Sequence, residues 1–326
     1  MPELPEVEVV RAGLAPAVTG ARVVAAEVRD SRALKRHIPL SGDDGLGGHG
    51  VTLSVKAGAE RAADFERRVT GLRLGAPARR GKFMWVPVSG GSEAAVAVQP
   101  WALLAHLGMS GQLLLRDTAA PDDRHVRIRL WIDHPDHGEL RLDFSDQRLF
   151  GSLALDRLEP TVDGAPGGVS GDALLPAQAS RIARDPLDPY FDDARFVAAL
   201  RSRATAVKKL VLDQALISGV GNIYADEALW RTRLHPETAG TAVSARKASE
   251  LLSALRDVFA QALAEGGTSF DEQYVNVNGQ AGYFAHSLNS YGRTGEPCNR
   301  CGTAITRIPF AGRSSHFCPR CQRLAR

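Results

Sequence analysis

The chain's four cysteines lie close together near its C-terminus, in two pairs with the spacing of a metal site. They are Cys298, Cys301, Cys318 and Cys321, in the pattern C-x2-C-x16-C-x2-C. Two C-x-x-C turns at this separation supply four thiolates, the ligand set of a structural, tetrahedral zinc site. A pair of disulfides is the alternative, but nothing else in the sequence indicates an oxidising compartment. We therefore expect one zinc ion (Zn2+) to fold a segment of ~30 residues that is too short to form its own core.

The second reactive feature is the start of the chain, MPELPEVE, in which Pro2 follows Met1. Removal of Met1 exposes a secondary amine, and an α-amino group titrates near ~8, so a useful fraction is neutral and nucleophilic at physiological pH. Attack of this amine on a sugar C1′ gives an iminium ion, and the neighbouring Glu3 can exchange a proton with the ring oxygen. The alternative is that Pro2 only begins a helix, and taken alone this alternative is the stronger one.

Positive charge is concentrated in the cysteine-containing segment. Residues 291–326 contain seven Arg and one Glu, a balance of +6, whereas the first 290 residues carry 33 basic and 36 acidic residues, a balance of −3. This distribution indicates a polyanionic partner, with a solvated charged tail as the alternative. No apolar run approaches the ~18–20 residues of a membrane span, and the acidic N-terminus is unlike a signal peptide. We therefore expect no membrane association and a cytoplasmic location.

The first half of the chain has the patterns of one helix followed by many short strands. Apolar residues at helical spacing predict a helix over Pro5–Gly20. Strands are predicted over Arg22–Val28, Val51–Val55, Val69–Leu74, Lys82–Val88, His125–Asp133 and 140–144. Such strands with Gly-containing turns favour an antiparallel sandwich or barrel. Two Gly-rich stretches, Ser41–Gly50 and Thr161–Asp172, are expected to be mobile surface insertions without a role in chemistry.

The second half of the chain has helical patterns. They cover Phe191–Ser202, Ala206–Ile217, Ile223–Arg231 and Ser244–Glu265. The segment Ser218–Asn222 contains two glycines and leads directly into the third helix, whose free N–H groups could bind a phosphate. An ordinary turn between helices is the alternative, and by itself the segment favours that alternative.

Six motifs in order resemble the formamidopyrimidine-DNA glycosylase family, which is bacterial. They are MPELPEVE, RRGKF at 79–83, HLGMSG at 106–111, DQRLFG at 146–151, GVGNIYADEAL at 219–229 and the four-cysteine segment. The resemblance implies a bifunctional DNA glycosylase/AP lyase of base excision repair that excises oxidised purines such as 8-oxoguanine and formamidopyrimidines. An endonuclease VIII-like enzyme for oxidised pyrimidines or abasic sites is the alternative. A non-catalytic damage-binding protein and a zinc-ribbon interaction module are alternatives from other classes.

The resemblance also assigns catalytic roles to individual residues. Pro2 matches the amine that forms the Schiff base, and Glu3 matches the neighbouring acid. Lys82 matches a lysine on a strand hairpin that assists β-elimination. Arg313 matches the zinc-hairpin arginine that binds phosphates and assists δ-elimination. These four residues are the expected catalytic set.

Further residues match DNA contacts of the family. Extruding a nucleotide leaves a void in the duplex, which Met109 is expected to fill while Phe150 acts as a wedge. Arg148 matches the residue that reads the orphaned cytosine. Phosphate contacts, which fix position without reading sequence, are expected from His125, Lys208, Asn222 and Arg313. The sequence departs from the family at Leu149, where relatives have Arg, and at Asp271 in the loop 268–280, which resembles the capping loop over the flipped base.

The resemblance implies an α+β multidomain fold. Residues 1–185 are expected to form a catalytic β-sandwich whose N-terminal helix carries the nucleophile. Residues 186–290 are expected to form a helix–two-turns–helix DNA-binding domain, followed by a zinc hairpin over 291–326. The expected partner is damaged double-stranded DNA, bound by a monomer in a basic cleft between the domains, in the cytoplasm and at the nucleoid.

Overall fold

The chain forms two compact units in a computed structural model that describes residues 2–42, 52–91, 100–168, 171–268, 277 and 282–324. Within these residues, the first unit comprises Pro2, the range Glu6–Ser180, Val277 and Gly282. The second unit comprises Glu3–Pro5, Arg181–Thr268 and the residues from Tyr283 onward. In the described part of the chain, every helix is too short or too polar to cross a membrane.

The first unit is built on a ten-stranded antiparallel sheet. Its described helices and strands are α1 (Leu4–Val18), α2 (Val55–Val69), β1 (Arg22–Val28), β2 (Leu72–Leu74), β3 (Ala78–Arg80), β4 (Phe83–Gly90), β5 (Trp101–His106), β6 (Gly111–Arg116), β7 (Val126–His134), β8 (Gly138–Asp146), β9 (Ser152–Pro160) and β10 (Leu174–Pro176). The strand order is β10-β9-β5-β4-β2-β1-β7-β8-β6, and β3 pairs with β4. A single register pair, Arg22 with Arg73, joins β1 to β2. The sheet therefore has two halves that share one core, as the predicted sandwich requires.

Helix α1 confirms the predicted apolar face. Val7, Val10, Leu14 and Val18 are each no more than 1% exposed and belong to the core of the first unit. The helix begins at Leu4 and continues through Pro16 to Val18. Burial of this face is the main source of its stability, because isolated helices of this length are marginal in water.

The strand predicted over Val51–Val55 is wrong, because Val55 begins helix α2. The Ser54 side chain caps this helix by accepting a hydrogen bond from the Ala57 N–H at 3.2 Å. The buried side of α2 includes Arg61, Asp64 and Arg68 beside its apolar residues. Since charged residues occupy three of the seven buried positions, the apolar periodicity that identifies a helix is weak here.

The second Gly-rich segment packs closely against the β3–β4 hairpin. Arg80 Nε donates to the Gly167 carbonyl at 2.8 Å, and a Cβ on Gly168 would lie 2.6 Å from the Arg79 carbonyl oxygen. The described part of 161–172 therefore packs on this hairpin, and its expected lack of a role in chemistry stays a prediction. The first Gly-rich segment lies mostly outside the described residues, since only Ser41 and Gly42 are described.

The second unit contains four described α-helices and one β-hairpin. They are α3 (Asp193–Arg201), α4 (Val207–Val211), α5 (Asn222–Thr232), α6 (Ala245–Ala264), β11 (Thr306–Phe310) and β12 (Arg313–Phe317). Helix α6 agrees with its prediction, with Ser244 as the capping residue. The helix predicted over Ala206–Ile217 ends at Val211, because the Asp213 carboxylate accepts the Ala215 N–H at 3.0 Å and begins a turn.

Candidate active site and zinc centre

The four cysteine sulfurs form a group of the size that zinc requires. Their Sγ atoms all lie within 4.8 Å of one another. Cys301 Sγ is 3.5 Å from Cys318 Sγ and 3.4 Å from Cys321 Sγ, and all four cysteines are free of disulfides. Four sulfurs at ~2.3 Å from one zinc ion lie about 3.8 Å apart, so the donor set suits one ion. Because the cysteines supply all four ligands, this zinc is structural.

Helix α5 supports the zinc centre through Trp230. Its indole Nε1 donates to Cys298 Sγ at 3.3 Å, which orients that ligand from outside the metal site. Arg300, between the first two cysteines, lies 4.0 Å over the Trp230 ring and donates to the Trp230 carbonyl at 3.1 Å. One turn earlier on α5, Glu227 accepts the backbone N–H groups of residues 289–291 at 2.8–2.9 Å. Glu227 is therefore a structural residue.

Lys208 and Asn222 meet at the backbone beside Arg313. Lys208 Nζ and Asn222 Nδ2 each donate to the Ser314 carbonyl at 3.0 Å, and Arg313 is exposed at the first position of β12. Lys208 is completely buried and forms an ion pair with Asp226 at 2.6 Å. Burial lowers the pKa of Lys208, and the facing Asp226 carboxylate offsets part of that effect. The structure thus brings three predicted phosphate contacts together, with two of them supporting the third.

Glu3 lies at the start of helix α5. Its side chain is 1% exposed, and its Oε1 accepts the Ile223 N–H at 3.1 Å. Gly221 makes this approach possible, because a Cβ there would overlap the Glu3 carboxylate. Gly219 has a φ of +87°, and a Cβ there would overlap the Leu4 side chain. The two glycines therefore accommodate the N-terminal segment, and a carboxylate of the chain itself occupies the helix N-terminus.

Pro2 and Lys82 both belong to the first unit. Pro2 is buried in the chain that still carries Met1, so its nitrogen there is a peptide nitrogen. Lys82 is half-buried in the turn between β3 and β4. Gly81, with a φ of +56°, permits that turn, and Arg79 Nη1 donates to its carbonyl at 3.1 Å. The structure therefore places Lys82 at a hairpin tip.

Three of the remaining predicted DNA contacts lie on two adjoining loops. Met109 is half-buried in the turn between β5 and β6. Arg148 is exposed after β8, with its guanidinium 4.9 Å from the centre of the Phe150 ring. The loops touch closely, since a Cβ on Gly108 would lie 2.5 Å from the Phe150 carbonyl carbon. The two loops that carry the predicted void-filling residues are thus in contact.

His125 lies beside the same loops, directly before β7. Its carbonyl accepts the Asp146 N–H at 2.9 Å, and its own N–H donates to Asp123 Oδ1 at 2.9 Å. The imidazole is half-buried, with Nδ1 3.5 Å from the Asp123 carboxylate. A phosphate contact by His125 stays a prediction.

Three family models match successive parts of the chain. The model of the Formamidopyrimidine-DNA glycosylase N-terminal domain matches residues 1–153, and that of the Formamidopyrimidine-DNA glycosylase H2TH domain matches residues 182–273. The model of the zinc finger found in FPG and IleRS matches residues 295–324. The chain belongs to the formamidopyrimidine-DNA glycosylase family.

Individual relatives agree with this assignment over their full length. The chain is 57% identical to a curated "Formamidopyrimidine-DNA glycosylase" of Leifsonia xyli over 99% of this chain and 100% of that protein. A Lactococcus lactis FPG mutant in complex with a Fapy-dG containing DNA matches with a TM-score of 0.74 and 26% identity over 99% and 100% of the two chains. A complex of the wild-type L. lactis protein with an oxidised pyrimidine containing DNA matches with a TM-score of 0.73 and 27% identity over the same shares.

Family membership confirms the fold class and the type of enzyme expected from the sequence. Formamidopyrimidine-DNA glycosylases are DNA glycosylases with AP lyase activity that act in base excision repair. The predicted zinc ion on Cys298, Cys301, Cys318 and Cys321 is confirmed by the zinc-finger match and the sulfur geometry. The roles of the other site residues stay predictions.

Sequence reasoning missed two residues that organise the loops of this glycosylase. Asp146 is completely buried and accepts from Ser110 Oγ at 2.5 Å and from the Gly151 N–H at 2.7 Å. The sequence contained one indication of this role, because Asp146 is the first residue of the DQRLFG motif. Lys35 donates to the Leu149 carbonyl at 2.7 Å across 114 residues, and no local pattern indicates such a contact. Asp271 of the predicted capping loop lies outside the described residues.

Proposed function

We propose that this chain excises oxidised purines, with 8-oxoguanine and formamidopyrimidines as the substrate class, from double-stranded DNA and then cuts the strand through a Schiff base on Pro2. The observation that carries the proposal is the position of Glu3, the residue after the amine, whose carboxylate is held at the start of α5. A fixed carboxylate next to an N-terminal secondary amine is the arrangement that sugar-ring opening requires. The L. lactis complex with Fapy-dG containing DNA supports this substrate class.

Base removal begins once Met1 has been cleaved from the chain. The Pro2 nitrogen attacks C1′ of the extruded nucleotide, the glycosidic bond breaks, and the base leaves with the bonding electron pair and takes up the proton that the Pro2 nitrogen loses. Glu3 then gives a proton to the ring oxygen, the ring opens, and an iminium ion forms between Pro2 and C1′. This cation is the electron sink for the later steps.

Strand cutting follows from the acidity that the iminium ion gives to the C2′ protons. Loss of one C2′ proton breaks the bond to the 3′ oxygen, and Lys82 assists this β-elimination as an acid or base. A second elimination breaks the bond to the 5′ oxygen, with Arg313 holding the departing phosphate. Water then hydrolyses the remaining Schiff base and frees Pro2. Since the chain supplies each of these residues, we infer that it acts as a monomer.

The duplex must release the damaged nucleotide before this chemistry can start. Extrusion costs stacking and pairing energy of a few kcal/mol. Met109 and Phe150 offset part of that cost by filling the void, and Arg148 donates hydrogen bonds to the acceptor atoms of the orphaned cytosine. Arg313, with Lys208 and Asn222 behind it, binds the backbone without reading sequence.

The proposal is tested by single-turnover excision of 8-oxoguanine opposite cytosine. We expect the wild-type chain to release the base and cut the strand, and we expect Pro2→Gly to lose both activities. Exposed Lys56 supplies a control, because K56M leaves the site untouched. Unchanged base release by the Pro2 variant would show that another nucleophile acts.

Oxidised pyrimidines form a second candidate substrate class. The observation that favours it is the L. lactis complex with an oxidised pyrimidine containing DNA, at 27% identity. Parallel reactions on 8-oxoguanine and thymine glycol duplexes separate the two classes. We expect faster excision of 8-oxoguanine, and faster excision of thymine glycol would replace the first proposal by the second.

A further inference from the structure

The loop that carries Arg148 and Phe150 contains a residue in an unfavourable backbone conformation. Leu149 has a φ of +56°, in the left-handed region of backbone conformations that residues with a Cβ rarely adopt. Such a conformation persists only where surrounding contacts hold it. Leu149 is also the position at which the sequence departs from the family motif. The contacts that hold this loop therefore decide how its two flanking residues are presented.

The contact at the centre of the loop comes from Lys35. Its Nζ donates to the Leu149 carbonyl at 2.7 Å, and the residue is only 6% exposed. Burial lowers the pKa of Lys35, and the nearby Asp146 carboxylate offsets part of this effect. A hydrogen bond from an ammonium group in a buried site is stronger than one between neutral groups. Lys35 therefore binds the strained residue firmly.

Lys35 is itself held in place by the short 3-10 helix Ser31–Leu34 that precedes it. The Asp30 side chain caps this helix by accepting the Arg32 N–H at 3.1 Å. Ala33 and Leu34 are completely buried in the core of the first unit. The backbone that delivers Lys35 is thus fixed independently of the loop that it contacts.

Asp146 holds the same loop at its two ends. Its carboxylate accepts the Arg148 N–H at 3.1 Å and the Gly151 N–H at 2.7 Å. It also accepts from Ser110 Oγ at 2.5 Å, which ties the loop to the turn that carries Met109. Asp146 and Lys35 therefore fix the ends and the centre of the loop, and the Arg148 guanidinium stays 4.9 Å from the Phe150 ring centre.

We propose that Lys35 is a positioning residue that fixes the Arg148–Phe150 loop for reading the orphaned base, and so sets the preference for cytosine opposite the lesion. The proposal rests on the proposed function, which gives Arg148 and Phe150 their roles. Under this proposal, two properties of the enzyme depend on different residues. Opposite-base preference depends on Lys35, whereas cutting at an existing abasic site depends on Pro2 and Lys82.

The variant Lys35→Met tests this separation, because Met keeps the apolar stem and loses the charge and the donor. Single-turnover excision of 8-oxoguanine is measured opposite cytosine and opposite adenine. We expect the ratio of the two rates to fall about tenfold, the magnitude expected for loss of a charge-assisted hydrogen bond. Cutting of a duplex with a pre-formed abasic site should stay within about twofold of wild type. The matched control K56M changes a lysine that is exposed on α2 and should alter neither rate.

A second substitution links the effect to the Leu149 backbone. Leu149→Gly removes the Cβ that makes a φ of +56° unfavourable. In this variant the loop conformation therefore depends less on the hydrogen bond from Lys35. We expect Lys35→Met to reduce the rate ratio less in L149G than in the wild type. An equal reduction in both backgrounds would show that Lys35 acts by another route and would overturn the proposal.

The rate ratio is insensitive to partial unfolding, because the same folded molecules act on both duplexes. If K35M yields no folded protein, K35Q takes its place in the same measurements. A wild-type rate ratio in the folded variant, or a parallel loss of abasic-site cutting, overturns the role of Lys35. If the proposed function itself is wrong, the wild-type chain fails to excise 8-oxoguanine, which is a different outcome.

Discussion

At the residue scale, the contact between Glu3 and helix α5 explains the glycines of the GVGN segment. Gly221 leaves room for the carboxylate, and Gly219 leaves room for Leu4, whose N–H donates to the Gly219 carbonyl at 3.1 Å. The sequence showed two glycines before a helix and indicated a turn or a phosphate site. The actual partner could not be predicted, because Glu3 is 220 residues away from the N–H that it accepts.

Gly221→Ala tests this contact, since the added Cβ would overlap the Glu3 carboxylate. In the proposed mechanism Glu3 gives the proton that opens the sugar ring, so displacing it should lower base excision at least about tenfold, at the low end of acid–base contributions. Gly20→Ala is the control, because Gly20 has a φ of +91° but nothing within 4 Å of its added Cβ. It should cost stability without slowing the excision step. Equal excision rates in the two folded variants would contradict the role of Glu3.

The buried ring of His37 is expected to make the stability of the folded chain depend on pH. His37 is completely buried, its Nε2 lies 3.0 Å from Asp64 Oδ2, and its Nδ1 accepts the Leu155 N–H at 3.2 Å. The ring is therefore neutral, with the proton on Nε2. Burial lowers the pKa of His37, Asp64 partly offsets this, and Arg68 and Arg61 lower it further.

The lowered pKa of His37 in the folded chain determines the direction in which stability changes with pH. The unfolded chain, with a His pKa of about 6.5, binds the proton first as pH falls. The stability from neutral His37 is therefore complete above about pH 6.5 and decreases below it. Thermal melting at a series of pH values should show this decrease, and a folded His37→Gln variant should show a shallower one. Identical pH profiles would contradict the prediction.

At the element scale, the second Gly-rich segment packs against the β3–β4 hairpin. Gly168 lies against the backbone of Arg79, and Arg80 binds the Gly167 carbonyl. Lys82 is at the tip of this hairpin. The composition of 161–172 correctly indicated an irregular segment, but its packing partner lies 87 residues earlier in the chain and cannot be identified from local composition.

Gly168→Ala tests whether this packing supports Lys82. The added Cβ would lie 2.6 Å from the Arg79 carbonyl oxygen and 2.9 Å from the Trp85 ring, so the hairpin must shift. We expect β-elimination to slow several-fold relative to base excision, since small misplacements of a catalytic group lower rates strongly. Comparing strand cutting with and without hot alkali measures the two steps separately. Gly164→Ala, in the same segment with nothing within 4 Å, should leave the ratio unchanged, and equal effects would refute the idea.

At the scale of the whole molecule, the features set by local spacing were predicted best. The four cysteines, the strand Arg22–Val28 and helix α6 all follow from patterns within about twenty residues. Helix α2 was missed because its buried side carries charges, and the contact of Lys35 with Leu149 spans 114 residues. Long-range polar contacts of this kind form only in the assembled fold, and no periodicity in the sequence predicts them.

Removing zinc should affect the part of the second unit that carries the predicted phosphate contacts. The zinc hairpin carries Arg313 and Ser314. The Ser314 carbonyl accepts hydrogen bonds from Lys208 Nζ and Asn222 Nδ2. Without the metal the four thiols no longer hold this segment together. Fluorescence anisotropy with an abasic-site duplex should show affinity falling at least about tenfold after chelation, with recovery on adding Zn2+, since folding of the segment depends on the ion. Unchanged affinity in a chain shown to be metal-free would contradict this account.

The proposed function requires the Pro2 amine to form the covalent bond to DNA. Borohydride reduction during the reaction with an 8-oxoguanine duplex traps a Schiff base, and mass spectrometry of the digested adduct locates the modified residue. We expect a chain that lacks Met1, with the sugar remnant attached to the nitrogen of Pro2. An adduct on Lys82 or another lysine, or excision by a chain that retains Met1, would contradict it.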